Sequence, residues 1–290
     1  MIIKKTNGVV VLVAVLAVAV FGCATLPEPP DYARRTRRLV AAASRYRDAG
    51  DSEKALLYYE RALEISRGTD HREGTADCLQ SVAVVHCELG NFGEAAAFAT
   101  EAISIAREIG DVSREADLIG IYGNIWYARG DSVQAEDSYR AALELSENAG
   151  YAPGIANQHN SLGLILKRRG EYEEAMQHYT VAARMYQRIG DRIGHAACLN
   201  NIGALLEVES DYQGALDKYN QAVALDKEAG NVPGIAVCLH NLGSVHLKLG
   251  DPEKAAGYFQ RAYYVNTWIG RDDLAGKDFK EAEKARAVPR

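Results

Sequence analysis

Residues 199–222 read LNNIGALLEVESDYQGALDKYNQA, and their spacing decides the fold. Leu199, Ile202, Gly203 and Leu206 recur at intervals of three and four, which places them on one face of a helix. Ala215, Tyr219 and Ala222 do the same after a break at Ser210-Asp211. The break reads as a turn, with Asp211 placed to cap the second helix. Gly203 lets two helix backbones approach closely, and the Tyr219 ring is expected to fill space between neighbouring helix pairs.

The same grammar returns every 40 residues. Turn pairs stand at Gly50-Asp51, Gly90-Asn91, Gly130-Asp131, Gly170-Glu171, Ser210-Asp211 and Gly250-Asp251. A second turn series runs Gly110, Gly150, Gly190, Gly230, Gly270. Small residues recur at Ala43, Ala83, Gly123, Gly163, Gly203 and Gly243. The aromatic column reads Tyr59, Ala99, Tyr139, Tyr179, Tyr219, Phe259, between alanines at Ala55, Ala95, Ala135, Ala175, Ala215, Ala255 and at Ala62, Ala102, Ala142, Ala182, Ala222, Ala262. A period of this length marks a stacked array rather than one globular core. Each copy reads helix, turn, helix, turn, with glycine ending helices in the left-handed conformation.

The small residue, the Gly turn, the alanines and the aromatic resemble the tetratricopeptide repeat, although that family's usual copy is shorter, about 34 residues. Copies of 40 with Asn201-Ile202-Gly203 and Asn241-Leu242-Gly243 look most like the Leu-Gly-Asn class of spindle-orientation proteins or kinesin light chains. The resemblance implies an all-α fold, a right-handed α–α superhelix. Six copies fit at 36–75, 76–115, 116–155, 156–195, 196–235 and 236–275, with 276–290 as a polar C-terminal cap. HEAT and armadillo repeats lack this Gly/Ala/aromatic grammar, and propeller blades would need period-two strands.

Composition is that of an ordinary folded protein: 48% hydrophobic, 25% charged, net charge −6. The acidic balance argues against a nucleic-acid binder, which needs a basic surface to release counterions. High glycine (26) with low proline (7) is explained by the turn registers.

The N-terminus reads as an export signal. Lys4 and Lys5 precede thirteen apolar residues, Val9 to Phe21, too few to span a bilayer but suited to a secretory core. The segment ends Val20-Phe21-Gly22-Cys23, which resembles the bacterial lipobox. That resemblance implies a signal peptide over 1–22, a lipid (palmitate) on Cys23 and a tether over 23–35, extended by Pro27, Pro29 and Pro30. It places the chain in the cell envelope, with Ala24 in the position after the cysteine favouring the outer membrane, facing the periplasm.

The first helices of such pairs line the concave side of the array. Numbered from the start of each copy, position 5 reads Gln80, Gly120, Asn160, Asn200, His240, and position 6 reads Ser81, Ile121, Ser161, Asn201, Asn241. Position 9 adds Asn124 and Ser244, and position 2 adds Asp77, Asp117 and Asn157. Carboxamides both donate and accept, matching the unpaired backbone of an extended peptide. The predicted peptide-binding groove is therefore Asn124, Asn157, Asn160, Asn200, Asn201, His240, Asn241 and Ser244. The position-6 residues are equally suited to bracing neighbouring helices, whereas Asn160 and Asn200 are read as ligand-facing. The lysine–arginine clamp of chaperone-tail binders is missing from position 5, and Lys167, Arg168 and Lys248 read as solvated helix ends.

No HExxH, CxxC, GxGxxG or Walker A motif occurs, so no enzyme, cofactor or metal site is expected. His86, His159 and His246 fall on packing positions. Cys78 and Cys87, about 13.5 Å apart along one helix, are beyond disulfide reach. Cys198 and Cys238 share position 3 of adjacent copies, which leaves their pairing open. The expected function is a membrane-anchored scaffold or assembly factor holding a peptide or protein in its groove. The alternative is a ligand-capture subunit of an envelope transporter. Homo-oligomerisation is left open.

Overall fold

The computed structural model describes residues 31–287, and among them thirteen α-helices follow one another without a strand. They are α1 (Asp31–Asp48), α2 (Ser52–Gly68), α3 (Arg72–Glu88), α4 (Phe92–Ile109), α5 (Val112–Arg129), α6 (Ser132–Asn148), α7 (Ala152–Arg169), α8 (Tyr172–Ile189), α9 (Arg192–Val208), α10 (Tyr212–Ala229), α11 (Val232–Lys248), α12 (Pro252–Trp268) and α13 (Asp272–Arg286). Each packs on the next, most extensively within a pair. In addition α3, α5, α7, α9 and α11 touch in succession, and no second helix makes an equally extensive contact with the second helix of the next pair. The first helices therefore form the inner layer of an all-α solenoid, capped by α13. The predicted signal peptide over 1–22 and the predicted lipidation residue Cys23 lie outside the described residues.

Two boundaries differ from the sequence reading. Helix pairs begin at 72, 112, 152, 192 and 232, four residues before the copies drawn from the repeat. The cause is capping: the residue after each inter-pair turn starts the next helix, as Asp111 does by accepting from the Arg114 amide at 2.9 Å and Asp191 from the Gly194 amide at 2.9 Å. Likewise residues 31–35, assigned to the tether, form the first turn of α1, where Asp31 favours the helix dipole. Asn91 and Glu171, in the register of the Asp211 cap, make no side-chain cap bond.

The turns hold ten glycines at positive φ, from Gly50 to Gly270 in steps of twenty, with two exceptions. Asp70 (φ 52°) and Ser210 (φ 64°) occupy the same register and adopt the left-handed conformation without being glycine.

Within a pair, the small residue of the first helix lies under the aromatic of the second. A Cβ added to Gly203 would meet Tyr219 Cε1 at 2.8 Å, and one on Gly163 would meet Tyr179 Cε1 at 2.7 Å. Gly123 with Tyr139 and Gly243 with Phe259 repeat the contact. The ring thus packs first inside its own pair and then reaches the next, as Tyr219 does with Leu242 and Val245. In the second copy the contact is replaced by Ala83 and Ala99, both fully buried.

Two stability predictions follow from these contacts. Ser210→Gly and Asp70→Gly each raise unfolding free energy by about 1 kcal/mol in denaturant titration, because the left-handed strain is relieved. Gly203→Ala lowers it by about 1–3 kcal/mol, because the Tyr219 ring is displaced from a closed core.

Candidate functional site

The predicted groove residues all lie on the first helices of their pairs, and each side chain holds an internal partner. Asn160 Oδ1 accepts from Asn201 Nδ2 at 3.1 Å and from Cys198 Sγ at 3.6 Å. One copy on, Asn200 Oδ1 accepts from Asn241 Nδ2 at 2.8 Å and from Cys238 Sγ at 3.6 Å. Position 5 of one helix is thus bound to positions 3 and 6 of the next, in the same register twice. Asn124 Oδ1 accepts from the Tyr139 hydroxyl at 2.8 Å, and Asn157 Oδ1 from the Tyr186 hydroxyl at 2.6 Å. His240 Nδ1 lies 2.6 Å from Asp278 Oδ1, whose second oxygen accepts from Asn266 Nδ2 at 2.7 Å. Ser244 donates to Glu207 Oε1 at 3.1 Å, and the Tyr219 hydroxyl to Glu207 Oε2 at 3.0 Å.

Asn160 and Asn200, read as ligand-facing alone, are therefore also braces between helices. The bonds use their oxygens only. The NH2 groups of Asn124, Asn157, Asn160 and Asn200 have no partner among the described residues, and none of them is fully buried. A row of oriented donors remains on the inner layer from α5 to α9.

A cleft of about 430 Å³ opens on this row between α5 and α7. Its wall includes Gly120 at position 5, where the other copies carry Gln80, Asn160, Asn200 and His240. Gln158 fills the gap from the side, so close that a Cβ on Gly120 would meet its Nε2 at 2.5 Å. Gln158 is 3% exposed, and its side-chain carbonyl has no hydrogen-bond partner. Asp117 lines the same cleft and accepts from the Tyr151 hydroxyl at 2.7 Å. Burial raises the Asp117 carboxyl above its ordinary value, and burial together with Asp117 pushes the Tyr151 hydroxyl up to about 12. Sequence reasoning passed over Gln158 and Tyr151. The signal for Gln158 was available: it breaks a column that otherwise reads Cys78, Leu118, Cys198, Cys238.

The remaining polar residues are structural. His86 stacks on Phe98 and His246 on Tyr258, with ring centroids 5.3 and 5.2 Å apart. His71 caps α3, accepting from the Gly74 amide at 3.0 Å. Lys248 pairs with Glu207 at 2.8 Å, Arg168 lies over the Tyr127 ring, and Lys167 is half-buried, so these three form no basic rim. Cys78, Cys87, Cys198 and Cys238 are free, and burial pushes the Cys198 and Cys238 thiols up to about 12. Among the described residues no three His, Cys, Asp or Glu side chains gather as metal ligands, and no helix is long and apolar enough to cross a membrane.

His159 (α7) and His178 (α8) face each other inside one pair, Nδ1 to Nδ1 at 3.0 Å. One ring must donate and the other accept, so the contact requires that they not both be charged. Burial, then the His178 charge, lowers His159 to about 4, and burial lowers His178, with Arg140 adding to it and Glu174 and Glu136 opposing. The unfolded chain takes up protons near the ordinary histidine value, before the folded one does. Stability is therefore complete above about pH 6.5 and is lost as pH falls through the folded value near 4. His159→Leu, which restores the residue found at 79, 199 and 239, is expected to flatten this decline. Thermal midpoints of both proteins between pH 7 and pH 4 check it, since carboxylate titration is common to the two.

The family model described as tetratricopeptide repeat matches residues 37–108, 116–188 and 190–264. The crystal structure of BtubC (BKLC) from P. vanneervenii superposes with TM-score 0.62 at 22% identity, over 81% of this chain and 92% of that one. A signal transduction ATPase with numerous domains, bearing a tetratricopeptide repeat sensor, from Pyrococcus horikoshii gives TM-score 0.67 at 14% identity, over 86% of this chain and 38% of that one. The Rap protein complexed with Competence and Sporulation Factor gives 0.60 at 15%, over 87% and 74%. At these identities the likeness shows the fold alone. No curated protein matches the chain in sequence.

Proposed function

The chain belongs to the tetratricopeptide repeat family, and from that premise we propose that it is a non-catalytic scaffold, lipid-anchored in the cell envelope, whose inner face captures a segment of a partner protein. The observation that carries this is the row of unpartnered NH2 groups on Asn124, Asn157, Asn160 and Asn200. Each is fixed in direction because its own oxygen is already bound. A donor held this way loses little rotamer freedom on binding, which favours capture of backbone carbonyls by a preformed surface. The Rap protein of the same fold, complexed with Competence and Sporulation Factor, supports an occupied array. The anchor reading rests on Gly22-Cys23 behind the apolar run, and it places the array at the outer membrane, facing the periplasm.

A second reading, a ligand-capture subunit for a transporter, is favoured by the polar cleft at Gly120 and Gln158. A pull-down from detergent-solubilised envelope separates the two. Recovery of a defined protein supports the scaffold; recovery of none, with a small molecule retained by the purified chain, supports ligand capture.

The groove is tested by Asn160→Asp with Asn200→Asp. Aspartate keeps the bracing oxygens for Asn201, Asn241, Cys198 and Cys238 and replaces each free donor with a charged acceptor. Partner affinity is expected to fall about tenfold, the scale of one or two hydrogen bonds, while the melting temperature holds. Unchanged affinity would reject the donor row as the contact. For the anchor, Cys23→Ser is expected to move the protein from the membrane to the soluble fraction, read by fractionation and immunoblot.

A further inference from the structure

Among the described residues α1 begins the array, and no preceding pair covers the face that later first helices turn toward their neighbour. In those helices position 3 holds Cys78, Leu118, Gln158, Cys198 and Cys238, and position 10 holds Val85, Ile125, Ile165, Leu205 and Val245, all buried and uncharged. In α1 the same two positions hold Arg38 and Arg45, and Arg35 and Arg37 flank them; all four are exposed. Helical spacing spreads them over one side of α1, opposite Ala43, which is fully buried. Among the described residues no carboxylate pairs with any of the four.

Keeping a solenoid end soluble does not require this. At the other end α13 mixes its charges, with Lys277, Lys280 and Lys284 set among Asp273, Glu281 and Glu283, and pairs Lys284 with Glu281 and Arg286 with Glu283. The first end is predominantly of one sign: α1 carries six arginines against Asp31 and Asp48, which pair with Arg34 and Arg47, on a chain whose net charge is −6. It also uses arginine throughout, the residue whose planar fork matches the oxygens of a phosphate.

We propose that the arginine face of α1 docks on the anionic phosphate headgroups of the membrane that holds the chain. The proposal rests on Cys23 being the lipid-bearing residue. Eight residue steps separate Cys23 from Asp31, a reach of at most about 28 Å. That leash keeps α1 nearer the bilayer than any later helix, within range of headgroup attraction worth about fivefold per arginine. Docking stands the solenoid on its first end and leaves the donor row of α5 to α9 projecting away from the surface.

The test is arginine footprinting of the full chain on vesicles, with phenylglyoxal modification read residue by residue in a mass spectrometer. One vesicle is phosphatidylcholine alone; the other adds phosphatidylglycerol as its anionic lipid. Modification of Arg35, Arg37, Arg38 and Arg45 is expected to slow about tenfold on the anionic vesicle, to recover in molar salt, and to leave Arg261 and Arg271 unchanged. In Arg35→Glu/Arg37→Glu/Arg38→Glu the protection of Arg45 is expected to vanish. Equal rates on both vesicles would overturn the proposal. So would slowing shared by Arg271, protection of Arg45 that survives the triple reversal, or protection that needs added nucleic acid or an acidic protein instead of anionic lipid. The anchor is read separately, by fractionation of Cys23→Ser, so a failed anchor and a failed docking face give different results.

Discussion

The array depends on one contact: an aromatic ring laid against a residue with no side chain. Tyr219 on Gly203, Tyr179 on Gly163, Tyr139 on Gly123 and Phe259 on Gly243 set the spacing of the two helices in four of the six pairs. The approach would be closed to any larger residue, since a Cβ would stand 2.6–2.8 Å from the ring. With that spacing fixed, each ring also reaches the first helix of the next pair, as Tyr219 does at Leu242 and Val245. Pair geometry and stacking geometry therefore come from the same side chain. Turns at twenty-residue intervals only have to deliver the helices to this contact, which is why Asp70 and Ser210 can stand in for glycine at a local cost.

Stacking then brings position 5 of one first helix beside positions 3 and 6 of the next. The polar residues found there serve two ends at once. Asn160 and Asn200 give their oxygens to the neighbouring helix and keep their NH2 groups for the inner face. Bracing and recognition are not competing readings of these residues, because a carboxamide has two chemically distinct ends. Where the column breaks, at Gly120, the brace is lost and a cleft opens, floored by a Gln158 carbonyl without a partner. The cost of that unmet group is of the order of 1–3 kcal/mol unless something donates to it.

The fold was legible because the period of 40 puts glycine, alanine and aromatic residues on helical spacings within each copy, and those spacings act locally. Helix starts were misplaced by four residues because the caps lie in a register that repeats less strictly: Asp111, Asp191 and Asn231 cap, His71 substitutes with its ring nitrogen, and Tyr151 forms no side-chain cap bond. The site was legible as a set of residues but not as a set of bonds. Asn160 meets Asn201 across 41 positions and Cys198 across 38, so no spacing within one copy reports them. The two histidines at 159 and 178 were equally hidden, since each alone sits on an ordinary packing position and only their contact makes them unusual.

A repeat array has two ends that the period cannot describe, and the departures from the period there carry information that the middle does not. At positions 3 and 10 the stacking rule demands buried, uncharged side chains, and five successive copies obey it. A first helix is released from that demand and needs only to be wetted. Any mixture of polar residues would do, as α13 shows with alternating signs and internal ion pairs. Choosing arginine at both released positions, with two more beside them, costs mutual repulsion on one helix and gains nothing for stacking. Among the described residues no carboxylate pairs with these four arginines, so opposite charge from outside the array would stabilise such a face, and the end that carries it is the end nearest Cys23.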